Sequence, residues 1–200
     1  MKKRSAVIKR NTKETEITVK LNIDGVGKTK INTGIGILDH MLDLFAFHGL
    51  FDLEIAAKGD LNIDKHHTNE DIGITLGQAF KEALGVKKGI NRNGTACWPM
   101  EKVLSCVSLD ICGRPFYKFS ANVGEGTKDE SGYSLKEAEH FFEAFANHLG
   151  MNLHIEVEPT VYDLHTTLEP VFKALGKSLS EACQINPRRK DVPSTKGVID

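Results

Sequence analysis

The stretches LDHMLDLFAFHG (38–49) and AEHFFEAFANHLG (138–150) each carry two histidines eight residues apart, His40 with His48 and His140 with His148. The correspondence continues downstream. His66 follows His40 by 26 residues and His165 follows His140 by 25, and a glutamate stands four places beyond each, Glu70 and Glu169. A histidine spacing that recurs at an offset near one hundred marks a tandem duplication, which sets the architecture ahead of any local reading.

The coarse periodicity agrees. In the first half AVIKR and TEITVKLNI alternate as strands, ILDHMLDLFAFHG has helical spacing up to Gly49, FDLEIAAKG is a strand, and TNEDIGITLGQAFKEALG is a helix with Thr68 or Asn69 as its N-cap. In the second half KVLSCVSLDI and FYKFSANV flank CGRP as a hairpin turn, residues 135–149 are helical, NLHIEVEP is a strand, and 167–184 is helical, with Pro170 in its first turn. Each half therefore reads β-β-α-β-α. The fold class expected is α+β, a tandem repeat with two sheets and helices on one face of each. The divisions are 1–93, 94–186 and a polar tail 187–200, which is either disordered or docked. GEGTKDESG (124–132) reads as a mobile surface loop.

Two hundred residues suffice for one domain or two small fused ones. A formal net charge of −1 and a pI near 6.7 give no electrostatic reason to expect nucleic acid or anionic lipid as a partner. No apolar run approaches the ~20 residues that span a bilayer. MKKRSAVIKR is basic but leads into no apolar h-region, so a cytoplasmic location is expected, with Cys97, Cys106, Cys112 and Cys183 as reduced thiols.

Chemistry concentrates in the duplicated frame. In His66-His67-x-x-Glu70 at a helix start, residues four apart share a face, so His66 and Glu70 can aim a nitrogen and a carboxylate together while His67 points elsewhere. His40, on another helix, can complete the set. Imidazole with carboxylate and no thiolate suits Mn, Fe, Co, Ni or Zn. A solvated surface would have no reason to repeat such a spacing. Arg92, Arg114, Lys173 and the PSTKG segment offer cations beside small polar residues, as a phosphate requires. Gly25, Gly27, Gly34 and Gly36 match no nucleotide fingerprint and read as turns, and His154 reads as a packed strand residue.

RNTKETEI, TGIGILDHMLDLFAFHGLFDL, KGDLNIDKHHTNEDIGITLGQAF, KKGINRNG, SLDICGRP, EHFF, FKALGKSL and VPSTKGV together resemble the imidazoleglycerol-phosphate dehydratase family of histidine biosynthesis, over about residues 4 to 199. The resemblance implies a ribosomal protein S5 domain 2-like fold and a homo-oligomer of roughly twenty-four subunits with active sites between them. It implies Mn2+, two per site, or another divalent transition metal. The metal ligands it implies are His40, His66, His67, Glu70, His140, His165 and Glu169. Arg92, Arg114, Ser194, Thr195 and Lys196 would hold phosphate, Lys173 and His48 lie in substrate-contacting segments, and Glu14 matches an acid/base glutamate, with His66 and Glu169 joining it in catalysis. The implied reaction removes water from D-erythro-imidazole-glycerol phosphate to give imidazole-acetol phosphate. No carbonyl activates the departing proton, so the imidazole must act as electron sink, through a metal-stabilised imidazolate and a diazafulvene-like intermediate. One position departs from the family: Thr166 stands where the second motif has a histidine, which opens the alternative of a weakened or non-catalytic metal-binding assembly paralogue.

Overall fold

The computed structural model describes residues 4–121, 128–158 and 163–199. The first repeat runs β1 (Ser5–Asn11), β2 (Thr15–Asn22), β3 (Thr29–Asn32), α1 (Gly36–Gly49), β4 (Asp52–Gly59) and α2 (His66–Leu84). The second runs β5 (Asn93–Met100), β6 (Val103–Asp110), β7 (Phe116–Ala121), α3 (Leu135–Leu149), β8 (Asn152–Glu158) and α4 (Leu164–Cys183). The two sheets have the same order, β1-β2-β4-β3 and β5-β6-β8-β7, antiparallel except for the parallel pairs β3–β4 and β7–β8. A parallel pair needs a crossover between its strands, and α1 and α3 supply it. The chain is thus two β-β-α-β-α units, each with one further strand, in an α+β fold.

Alternation on the strands decides which face is covered. Ile17, Val19 and Leu21 on β2, like Val103, Val107 and Leu109 on β6, point inward and are buried, while Glu16 and Lys20, and Leu104 and Ser108, point out. Helices α1 and α2 cover the inner face of the first sheet and α3 and α4 that of the second. The helix layers then pack on each other across the repeats, α2 against α3 and α1 against α4. Phe45 and Phe145, equivalent residues of the two copies, meet at this central seam with ring centroids 6.1 Å apart, and Phe80 packs edge-on to Phe145 at 5.7 Å.

Equivalent glycines permit the close approach. A Cβ on Gly77 would lie 2.8 Å from the Phe145 carbonyl oxygen, and one on Gly176 would lie 2.2 Å from that of Phe45. Because α2 runs alongside α3 and α4 alongside α1 with their first turns together, the helix starts of one repeat lie beside those of the other.

Several local expectations are corrected. CGRP is not a hairpin turn: β6 pairs with β5 and β8, and β7 lies beyond β8, so the chain crosses over there. Neither Thr68 nor Asn69 is an N-cap. Lys65 holds that position, and the His66 amide donates to the Asp64 carboxylate at 2.8 Å, so α2 starts earlier than its apolar periodicity. Pro170 lies inside α4 past its first turn, because Asp163 caps the helix upstream. Cys97 and Cys106 are not free thiols; they oppose each other on β5 and β6 and form a disulfide, while Cys112 and Cys183 are free and buried. Strand register joins cysteines whose sequence spacing carries no signal. His154 faces outward on β8, 5.4 Å from the Phe116 ring, and is exposed rather than packed. Of the expected mobile loop, 124–127 lie outside the described residues. Asp129, however, accepts from the Tyr133 amide at 2.7 Å in an ordered turn, and the buried Tyr133 hydroxyl donates to Asn69 at 2.8 Å.

Candidate metal centres and anion cradle

The crossed helix pairs bring the duplicated residues together in mixed sets. At the start of the α1–α4 pair, His40 of the first repeat stacks on His165 of the second with ring centroids 5.0 Å apart. His165 Nε2 lies 2.8 Å and His40 Nε2 3.6 Å from Glu169 Oε2. One ligand atom from each of the three falls within 4.8 Å of the others, close enough to share one cation. The other Glu169 oxygen accepts from Lys173 Nζ, whose side chain is 17% exposed. Burial pushes the Glu169 carboxyl up, but hydrogen bonds from Lys173 and His165 outweigh it and hold it below the ordinary carboxylate range. His48, two turns along α1, packs against Trp98 at 4.7 Å; burial and then the Lys173 charge hold its pKa down.

The α2–α3 pair gathers the equivalent residues with the copies exchanged, though not around one point. His140 Nδ1 lies 3.0 Å from His66 Nδ1, and His66 Nε2 lies 3.3 Å from Glu70 Oε2. The His66 ring thus turns opposite nitrogens to its two neighbours, and the three side chains line a cleft of about 380 Å³ with Glu143, Asn147 and His148. His67 points away, as the spacing predicts. Asp60 lies 3.0 Å and Glu14 3.9 Å from its Nδ1, and the Asp60 hydrogen bond raises its pKa. A carboxylate on Nδ1 leaves Nε2 as the ligating nitrogen, the arrangement common behind metal-bound histidines.

Thr166, the counterpart of His67, is used differently. Its amide donates to the Asp163 carboxylate at 2.7 Å and its hydroxyl bonds the same oxygen, so the residue completes the N-cap of α4. These bonds hold the Asp163 carboxyl below the usual range. A carboxyl with a lowered folded pKa stabilises above its unfolded value of about 4, and that contribution is lost as pH falls through the lower folded value. Asp163→Ala is therefore expected to cost about 1 kcal/mol at neutral pH and to flatten the fall in Tm between about pH 5 and pH 3 in a thermal melt series.

The cationic candidates divide between two places. Lys173 belongs to the first cluster. Arg92, Arg114 and the tail gather at the far end of the second sheet. Arg92 pairs the Nε–Nη2 edge of its guanidinium with the two oxygens of Asp110, at 2.6 and 2.8 Å, and donates from Nη1 to the Pro193 carbonyl at 3.0 Å. Arg114 is exposed in the adjoining crossover, and its carbonyl accepts from the Cys112 thiol. The tail is docked: the Gly89 amide donates to the Asp191 carbonyl at 3.1 Å, and within the tail the Lys196 amide donates to Ser194 Oγ at 3.2 Å. Thr195 and Lys196 are exposed. Asp60, Asp110, Asp163 and Trp98 were not singled out in the sequence, where single carboxylates and one tryptophan carry no pattern.

The fold and these side chains define a duplicated α+β enzyme whose histidine–glutamate sets are each assembled from both repeats. The chain belongs to the imidazoleglycerol-phosphate dehydratase family, whose model matches residues 33–179. It is 48% identical to the imidazoleglycerol-phosphate dehydratase of Pelobacter propionicus, over 98% of this chain and 99% of that protein. It is 49% identical to that of Caldanaerobacter subterraneus subsp. tengcongensis, over 98% and 100%. Among solved structures, the dehydratase of Staphylococcus aureus superposes with a TM-score of 0.80 at 32% identity, covering 91% of this chain and 99% of that one. The Pyrococcus furiosus enzyme, in complex with (S)-C348, superposes at 0.81 with 37% identity, covering 96% and 99%. Among the described residues no helix is long and apolar enough to cross a membrane.

Proposed function

We propose that the chain dehydrates D-erythro-imidazole-glycerol phosphate to imidazole-acetol phosphate with divalent cations, Mn2+ foremost, held at the two crossed clusters. The observation that carries this reading is the convergence of His40, His165 and Glu169, drawn from both repeats, within reach of one cation, with His140, His66 and Glu70 gathered at the equivalent place of the other helix pair. Bound there, a cation would supply Lewis-acid stabilisation of negative charge on the substrate imidazole. The protein's own groups do the rest. His67, oriented by Asp60, presents Nε2 as a further ligand. Glu14, whose carboxylate stands beside His67, carries the proton leaving the substrate carbon. Arg92, Arg114, Ser194, Thr195 and Lys196 hold the phosphate and so fix the reacting carbon.

The geometry supports assembly of the site between copies. Glu169 lies in the early turns of α4, whereas the Arg92 amide donates to Ala182 at its other end. Thirteen residues of helix separate them, about 20 Å, more than a small imidazole phosphate spans. One chain's clusters and cradle therefore serve different substrate molecules, and a homo-oligomer of roughly twenty-four subunits is the expected form.

The test is turnover. Protein stripped with a chelator should be inactive on D-erythro-imidazole-glycerol phosphate and should release imidazole-acetol phosphate when Mn2+ is restored; inactivity with metal and substrate both present would refute the reading. The second reading, a metal-binding paralogue without activity, rests on Thr166, whose hydroxyl is committed to Asp163. Rescue of a histidine auxotroph lacking the dehydratase would eliminate it. Thr166→His keeps the backbone bond of the N-cap and adds an imidazole, and is expected to tighten Mn2+ retention in equilibrium dialysis by on the order of tenfold.

A further inference from the structure

The guanidinium of Arg92 has five N–H donors, of which three are committed, two to Asp110 and one to the Pro193 carbonyl. Its backbone is held on both sides: the amide donates to Ala182 at 2.9 Å and the carbonyl accepts from Ile111 at 3.0 Å. The residue sits at φ +80°, a left-handed conformation unusual for a side chain other than glycine. With the backbone clamped, the two-point contact with Asp110 sets the plane of the guanidinium. Pro193 is buried and immediately precedes Ser194. Among the described residues, the Arg92–Pro193 bond is the only hydrogen bond tying residues 192–199 to the rest of the chain; the bonds of Ser194, Lys196 and Gly197 are local.

The first repeat contains the same device. Arg4 precedes β1 as Arg92 precedes β5, and its carbonyl accepts from Ile23 at 3.0 Å as that of Arg92 does from Ile111. The Arg4 guanidinium pairs with Asp24 and donates its Nη1 to the carbonyl of Cys183, the last residue of α4. In each copy an arginine ahead of the first strand is oriented by an aspartate and spends its remaining edge on the C-terminal segment. The first copy binds the end of α4, the second the tail beyond it.

We propose that Asp110 is a positioning residue that, through Arg92, latches the C-terminal tail in place and so sets the geometry of the anion cradle at Ser194–Lys196. The functional part rests on the reading that this cradle holds the substrate phosphate. Asp110 touches no substrate; it acts by fixing which way Arg92 points and thereby where Pro193, and the turn after it, is held.

The test uses the full chain with Mn2+ and reads two quantities, amide hydrogen exchange in a peptide covering 190–199 and the KM and kcat for the phosphorylated substrate. Asp110→Ala is expected to speed tail exchange and to raise KM, each about tenfold, with kcat within about twofold, since substrate binding and not the chemical step is loosened. Asp110→Asn keeps one acceptor and should fall between, and it decides the matter if the alanine variant does not fold. Arg4→Ala, the twin outside the site, should lower Tm and leave KM and tail exchange unchanged. Wild-type tail exchange in both Asp110 variants would overturn the latch, as would equal loosening of the tail by Arg4→Ala. Faster tail exchange with unchanged KM would uphold the latch and refute the assignment of Ser194–Lys196 to the phosphate.

Discussion

Glu169→Ala is expected to lower kcat by on the order of 10³ and to remove one bound Mn2+ per chain, measured by turnover and metal analysis on the same preparation. Glu169 is the point on which one cluster converges: His165 and His40 face one of its oxygens and Lys173 the other. Without the carboxylate, the half-buried Lys173 ammonium is left unpaired beside the two imidazoles, where it repels a cation as well as losing its partner. Glu169→Gln retains the shape and an acceptor oxygen but not the charge, so its loss should approach that of alanine if cation binding is what matters. Glu70→Ala in the other cluster should cost less affinity. The Glu70 side chain is 47% exposed against 14% for Glu169, and among the described residues its ion-pair contact is with His66 alone. Full activity in Glu169→Ala would show that this cluster does not take part.

Gly176→Val is expected to destabilise the fold by about 3 kcal/mol, a fall in Tm of roughly 10 °C for a chain of this size. Its Cβ would stand 2.2 Å from the Phe45 carbonyl oxygen, and backbone cannot swing aside as a flexible side chain can. Either α1 and α4 separate or the seam around Phe45 and Phe145 deforms. Because His40 and His165 meet across the same helix pair, surviving protein should also bind Mn2+ more weakly. Gly36→Ala is the control. It lies at the start of α1 with nothing within 4 Å of its Cβ, and alanine favours the helix, so Tm should hold or rise. A valine at Gly176 without effect would contradict the close crossing of the repeats.

Much of this was legible because duplication writes itself twice. The recurrence of His40, His66 and Glu70 as His140, His165 and Glu169 exposed both the repeat and the residues now found clustered. The four helices were readable from their apolar periodicity, their limits less so. Asp163 and Asp64 start α4 and α2 ahead of the hydrophobic pattern, which displaced Pro170 from the first turn. Strands β3 and β5 escaped notice for local reasons. TKIN is four residues with one apolar side chain, and NGTACWPM holds Gly94 and Pro99, which weaken any strand signal although an edge strand tolerates both. With β5 unseen, KVLSCVSLDI and FYKFSANV seemed adjacent, and a hairpin followed where the sheet has β8 between them. That residues of both copies would converge was expected, but which helices cross was not legible. Periodicity identifies a buried face but not its partner, and it is the glycines Gly77 and Gly176 that let helices of different repeats lie against each other.

The central claim is that each cation site is made by both repeats. Crystals grown with Mn2+ and measured on either side of the manganese absorption edge test it directly. The account predicts anomalous peaks at His40–His165–Glu169 and at His66–Glu70–His140; peaks beside the residues of one repeat alone, or none at either cluster, would contradict it.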